Sequence, residues 1–237
     1  AADVLDADTD LGNYAITAGY LDFSAGASEN LLTTIDTLEA HISGAGNALT
    51  VTETDGVTLQ DVDTTNGDIS VDAGGNITVV AVDDTAGANL VTLDSGGTID
   101  DGAAGAGVVT AQDLELIAVN GITDFNTNVN NIALSVTTGG ATVIDDNGLA
   151  IADLTVVGGA TDGATTVGAL SVTAAGASSL AVNRPVASNG GAVTLTADAD
   201  VTFAAAGDVA SGGGLVTITA DADGAAGGSV TMANGAV

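Results

Sequence analysis

The sequence contains no cysteine, no tryptophan, one proline (Pro185), one histidine (His41) and one basic residue, Arg184. Each scarcity removes a class of protein. Without cysteine there is neither a disulfide framework nor a thiolate metal centre. With aromatics at 2%, the large rings that dominate a thick core are missing, and many thin contacts must offset chain entropy instead. Thirty-one acidic residues against one basic residue give a formal net charge of −30. A phosphate backbone requires a field of Lys and Arg, so nucleic acid is excluded as a partner, and an anionic membrane surface is disfavoured for the same reason. Mean hydropathy is +0.44, yet no stretch of about 18 residues escapes Asp, Glu, Asn or Gly, so no membrane insertion is expected. The lack of Lys and Cys suits an oxidising, protease-containing exterior, which makes an extracellular location the expectation. Ala1 is followed by Asp3, Asp6, Asp8 and Asp10, which is not leader chemistry, so the chain reads as a mature or excised segment.

What is present is short, alternating and β-branched. Runs such as ALTVT, GVTLQDV, NITVVAV and AVTLT have the period-2 pattern of half-buried strands, unlike a disordered chain of similar charge. Between them lie Gly-Gly, Asn-Gly and Asp-Gly steps, which are turn chemistry.

The strands repeat. GGAVTLTADAD from Gly190 returns as GGLVTITADAD from Gly213, 23 residues later, with nine of eleven positions identical. A longer period links AITAGYLDFSA from Ala15 to VVTAQDLELIA from Val108, a shift of 93 that maps Ile16, Leu21 and Phe23 onto Val109, Leu114 and Leu116. Leu31, Ile35 and Leu38 map onto Phe125, Val129 and Ile132, and DGVTL at Asp55 maps onto NGLAI at Asn147. Small drifts at turns with apolar positions kept in step are what stacked coils tolerate. The expectation is a single continuous all-β chain over 1–237. It should form a right-handed parallel β-helix (β-solenoid) of about 20–23 residues per coil. A super-repeat of about 15–107 and 108–207 would be followed by a partial further copy to 237.

One segment competes. SENLLTTIDTLEAHI from Ser28 places Leu31, Ile35, Leu38 and Ile42 at helical spacing, with Ser28 as a cap. Its counterpart, ITDFNTNVNNIALSV, is crowded with Asn and Thr, poor helix formers, so strand and turn are preferred for both.

The strings TIDTLEAHISGAGNALTVTETDGVTLQDV, NGDISVDAGGNITVVAV and GGAVTLTADADVTFAAAGDV resemble the repeat arrays of giant bacterial surface proteins, the filamentous-haemagglutinin-like adhesin group. The resemblance covers nearly the whole chain through degenerate motifs. It implies a right-handed β-helix at the cell surface, used for adhesion, filaments or matrix, and carries over no binding residue, because such families bind through insertions and flanking domains not recognised in this sequence.

The search for chemistry yields no catalytic, cofactor-binding or metal residue, and no enzyme is expected. A polysaccharide lyase needs cationic groups beside a general base, and Arg184 stands alone before Pro185, where a solvated or carboxylate-paired role suits it. A hydrolase needs two carboxylates poised across a cleft, and here acids are scattered. His41 lacks a nucleophile arrangement and reads as a surface or lumen-edge residue. Calcium is the one cofactor entertained: Asp6, Asp8, Asp10, Asp61 and Asp63 sit in oxygen-rich stretches without the twelve-residue loop spacing. The 23-residue shift would stack Asp198 on Asp221 and Asp200 on Asp223. Thr50, Thr194, Thr196, Thr217 and Thr219 raise ice binding, for which ordinary outward threonine ladders are preferred. The expected function is a structural rod, a segment of an adhesin or filament. Its partners would be further solenoid coils at both ends, of its own chain or of another copy, and a glycan or cell-surface ligand.

Overall fold

A computed structural model describes residues 15–84, 87–102, 108–156, 159–225 and 227–236. Among them the only regular elements are strands, and they form a parallel β-solenoid. The coils lie one on another in register. Leu49 pairs with Ile69, Ile69 with Val91, Val91 with Leu114 and Leu114 with Ile132, and the column continues through Ile151, Val182 and Phe203. A second column runs from Val57 through Ile77, Ile99, Ile122, Ala141 and Leu170 to Val193. All of these side chains are buried.

The physical reason is the period. In Leu49–Glu53 and Ile69–Ala73 alternate residues are buried, so each short strand delivers apolar groups to one side only. A single strand cannot bury that side alone. Stacking at about 4.8 Å per rung aligns identical positions into a continuous aliphatic interior, each Val, Leu or Ile contributing about 1.5–3 kcal/mol on burial.

The turns stack as closely as the strands. Gly74 N–H donates to Glu53 O, Gly96 N–H to Ala73 O and Asn120 N–H to Gly97 O, all at 2.8–3.0 Å. A Cβ at Gly74 would lie 2.3 Å from Thr54 O, and one at Gly96 would lie 2.4 Å from Gly74 O. Backbone therefore sits where a side chain would otherwise stand, which explains the recurrence of Gly-Gly 22 residues apart, at Gly74 and Gly96.

The helix-spaced segment is the strand Glu29–Ile42, as its Asn-rich counterpart suggested. Leu31, Thr33 and Ile35 face inward, the chain turns a corner at Asp36 and Thr37, and Leu38, Ala40 and Ile42 face inward again. A period of two that skips one residue at a corner imitates a spacing of three and four.

One element departs from the stack. Asp153–Val156 and Gly159–Asp162 pair antiparallel, an insertion lying against the strands Val108–Ala118 and Gly121–Val136. On either side of it the solenoid resumes, since Ile132 pairs with Ile151 and Leu134 with Ala164. The hairpin lies outside the stacked register that the repeats imply.

Candidate functional site

Where the chain turns corners, buried acids hold the backbone. Glu53 accepts N–H bonds from Ile35 at 3.0 Å and Thr54 at 2.9 Å. Asp145 accepts them from Val129 and Asn147, each at 2.9 Å, and the Thr127 hydroxyl at 2.9 Å. These carboxylates satisfy donors that the corner takes out of the ladder. Burial pushes the Asp145 carboxyl above the ordinary carboxylate value despite its hydrogen bonds. Asp145 is fully enclosed and structural.

The lateral face carries two kinds of outward column. Tyr20, Thr37, Thr58 and Thr78 stack, followed by Asp100 and Thr123. The same column resumes as Thr142, Ser171, Thr194 and Thr217. Two residues further along each C-terminal strand stand Ile144, Thr173, Thr196 and Thr219, so the stacked hydroxyls extend beyond the Thr194/Thr217 and Thr196/Thr219 pairs expected from the repeat.

Beside the N-terminal part of the hydroxyl column the residues are ionisable. Alternation sends Glu39 and His41 outward between buried Leu38, Ala40 and Ile42, and Asp61 and Asp63 outward around Val62. The register between these strands shifts after Leu38, so that Gln60 is passed over, Asp61 opposes Glu39 and Asp63 opposes His41. A bulge of this kind re-aims the side chains beyond it. On the next rung Asp83 opposes Asp63.

These groups converge. His41 Nδ1 contacts Asp63 Oδ2, and His41 Nε2 lies 3.6 Å from Glu39 Oε1. The Tyr20 hydroxyl donates to Glu39. One ligand atom each from His41, Asp61 and Asp63 lies within 4.8 Å of the others. The hydrogen bond to Asp63 raises the His41 pKa above its ordinary value, and the bond to Glu39 pushes Tyr20 up to about 12. Burial, with Asp63 and Asp61 nearby, raises Asp83, whose Oδ1 is buried without a hydrogen-bond partner. His41 is an outward residue, one-third exposed.

No family model, curated protein or solved structure matches the chain.

Arg184 is carboxylate-paired. Its Nη2 lies 2.9 Å from Asp153 Oδ2 and its Nε 3.3 Å from Asp162 Oδ1, and those two acids face one another at the base of the hairpin. The single guanidinium thus bridges a pair of carboxylates that would otherwise repel.

Of the expected acid pairs near the C-terminus, Asp200 does not stack on Asp223. Asp200 instead accepts the Ser229 N–H and hydroxyl, both at 2.8 Å, because Val201 pairs with Val230. Asp221 and Asp223 accept N–H bonds from Gly227 and Ala225 within their own turn. The 23-residue identity fails there because the intervening turn is longer than the earlier one. Asp6, Asp8 and Asp10 lie outside the described residues. A recess of about 390 Å³ is lined by Asp100, Asp101, Thr123, Asp124 and Asn126. Asp101 Oδ2 there accepts the Asn126 backbone and amide N–H groups, which ties that carboxylate to a structural duty.

Proposed function

We propose that the chain is a non-catalytic structural rod, a segment of an extracellular bacterial cell-surface adhesin or filament. The observation that carries this reading is the continuous parallel ladder around an aliphatic interior, from Leu49 to Phe203 in one column. Such a ladder engages the backbone of every coil and resists local opening, while a net charge of −30 keeps rods apart in solution. Buried acids serve the corners, and the hairpin, pinned by Arg184, is an insertion of the sort through which surface rods display contacts.

Within this reading, self-association of rods end to end is the alternative form. The strands Val216–Thr219 and Val230–Met232 expose Val216, Val230 and Met232, apolar groups that a following coil would cover, from the same chain or a second copy. Electron microscopy of the purified chain separates the two. Rods of one length support a segment, and filaments of variable length support polymerisation. Globular particles count against both.

A second reading, ice binding, is favoured by one observation, the rows Ser171/Thr173, Thr194/Thr196 and Thr217/Thr219 stacked on a single face. Inhibition of ice recrystallisation, lost on replacing Thr194 and Thr196 by a bulkier residue, is its test.

A further inference from the structure

We propose that His41, Asp61 and Asp63 form a site for one divalent transition-metal ion of the zinc class, which clips the strands Glu29–Ile42 and Val57–Thr64 together on the outside of the solenoid. This goes beyond the structural-rod reading and does not depend on it.

The donor set is mixed. An imidazole nitrogen and two carboxylate oxygens lie within 4.8 Å of one another, so a small side-chain rotation brings them inside the roughly 4.4 Å limit that bonds of about 2.0–2.2 Å set. They are brought together from two rungs by strand alternation and by the shift at Gln60, not by proximity in sequence. A second observation points to a missing cation. The Asp83 Oδ1 atom, one rung beyond Asp63, is buried and accepts no hydrogen bond. The single guanidinium, Arg184, is engaged by Asp153 and Asp162, so apart from a proton on His41 or Asp83 a neutralising charge there comes from solvent.

The imidazole decides which cation. Calcium and magnesium take oxygen ligands, whereas imidazole favours zinc, nickel and copper. The ion would replace the proton shared by His41 Nδ1 and Asp63, releasing it to solvent. Nε2–H then faces Glu39, 3.6 Å away, an arrangement in which an outer carboxylate orients the ligating ring. Water completes the coordination on this exposed face.

The test uses zinc chloride with the 237-residue chain at fixed ionic strength, with excess magnesium to occupy the general acidic surface. Calorimetric titration and thermal melting are compared for the native chain, His41→Ala and Asp61→Asn. Both substituted positions are outward, so the variants should melt near the native chain without zinc. The expected result is one equivalent of zinc bound, a raised melting midpoint, and affinity weakened about tenfold or more in each variant. Equal zinc affinity in the native chain and His41→Ala would overturn the proposal, as would no binding above the magnesium background.

Discussion

The two halves of the molecule share one outward column of hydroxyls and differ in what stands beside it along the strand. Beside Thr37 and Thr58 are Glu39 and Asp61, with His41 and Asp63 beyond them. Beside Ser171, Thr194 and Thr217 are Thr173, Thr196 and Thr219. Stacking in register amplifies any single outward choice into a column, so a change of residue type beside the hydroxyls converts a neutral face into a charged one without altering the fold. The interior beneath is the same aliphatic stack in both halves.

Breaking that shared interior should have the largest effect and should not respect the boundary between halves. Ile132, fully buried between Leu114 and Ile151, replaced by Ala should cost about 2–5 kcal/mol in denaturant unfolding. Next in size are the corners. Asp145→Ala leaves the Val129 and Asn147 N–H groups and the Thr127 hydroxyl without their acceptor, and Glu53→Ala does the same to Ile35 and Thr54. Each loss should cost about 1–3 kcal/mol by the same measurement. Comparable values would mean that the halves share corner chemistry, and a large disparity would separate them.

Titration probes the acids without mutation. Burial raises the folded-state pKa of Asp145, and burial together with the stacked Asp72 raises that of Asp94. A carboxyl raised on folding binds its proton more tightly in the native state. Its ionisation therefore costs stability at neutral pH, and that cost is relieved as pH falls through the folded value towards the ordinary 3.8. The melting midpoint should rise on mild acidification from pH 7, and Asp94→Asn should shrink the rise. The smallest effect belongs to the neutral face. Thr194→Val on its outward ladder should change unfolding free energy by less than about 0.5 kcal/mol.

Much of the fold was legible because its signals are local and repeated. Alternation in ALTVT and AVTLT, Gly-Gly at the stacked turns and the mapping of Leu31, Ile35 and Leu38 onto Phe125, Val129 and Ile132 all report a stack. The corner acids carried a readable trace, since Glu53 and Asp145 each precede a turn, Asp55-Gly56 and Asn147-Gly148, that the long repeat had already aligned. The hairpin was not legible, because Leu154, Thr155 and Val156 have the same composition as any ladder strand and nothing local states that their partner runs the other way. The meeting of His41 with Asp61 and Asp63 was hidden for a different reason. It depends on one residue, Gln60, being passed over between rungs, and register is a property of pairs of strands. Asp200 and Asp223 failed likewise, since identical strings stack only where the turn between them keeps its length.

The register itself can be measured directly, helped by the absence of native cysteine. Thr194 and Thr217 oppose each other on adjacent rungs, and Ser171 stands one rung further away. Cysteines at 194 and 217 should form a disulfide under mild oxidation, since one rung of about 4.8 Å falls within the Cα separation such a bond requires, whereas cysteines at 171 and 217, about 9.6 Å apart, should not. Cross-linking of 171 to 217, or none between 194 and 217 in the folded chain, would contradict the stacked-coil account.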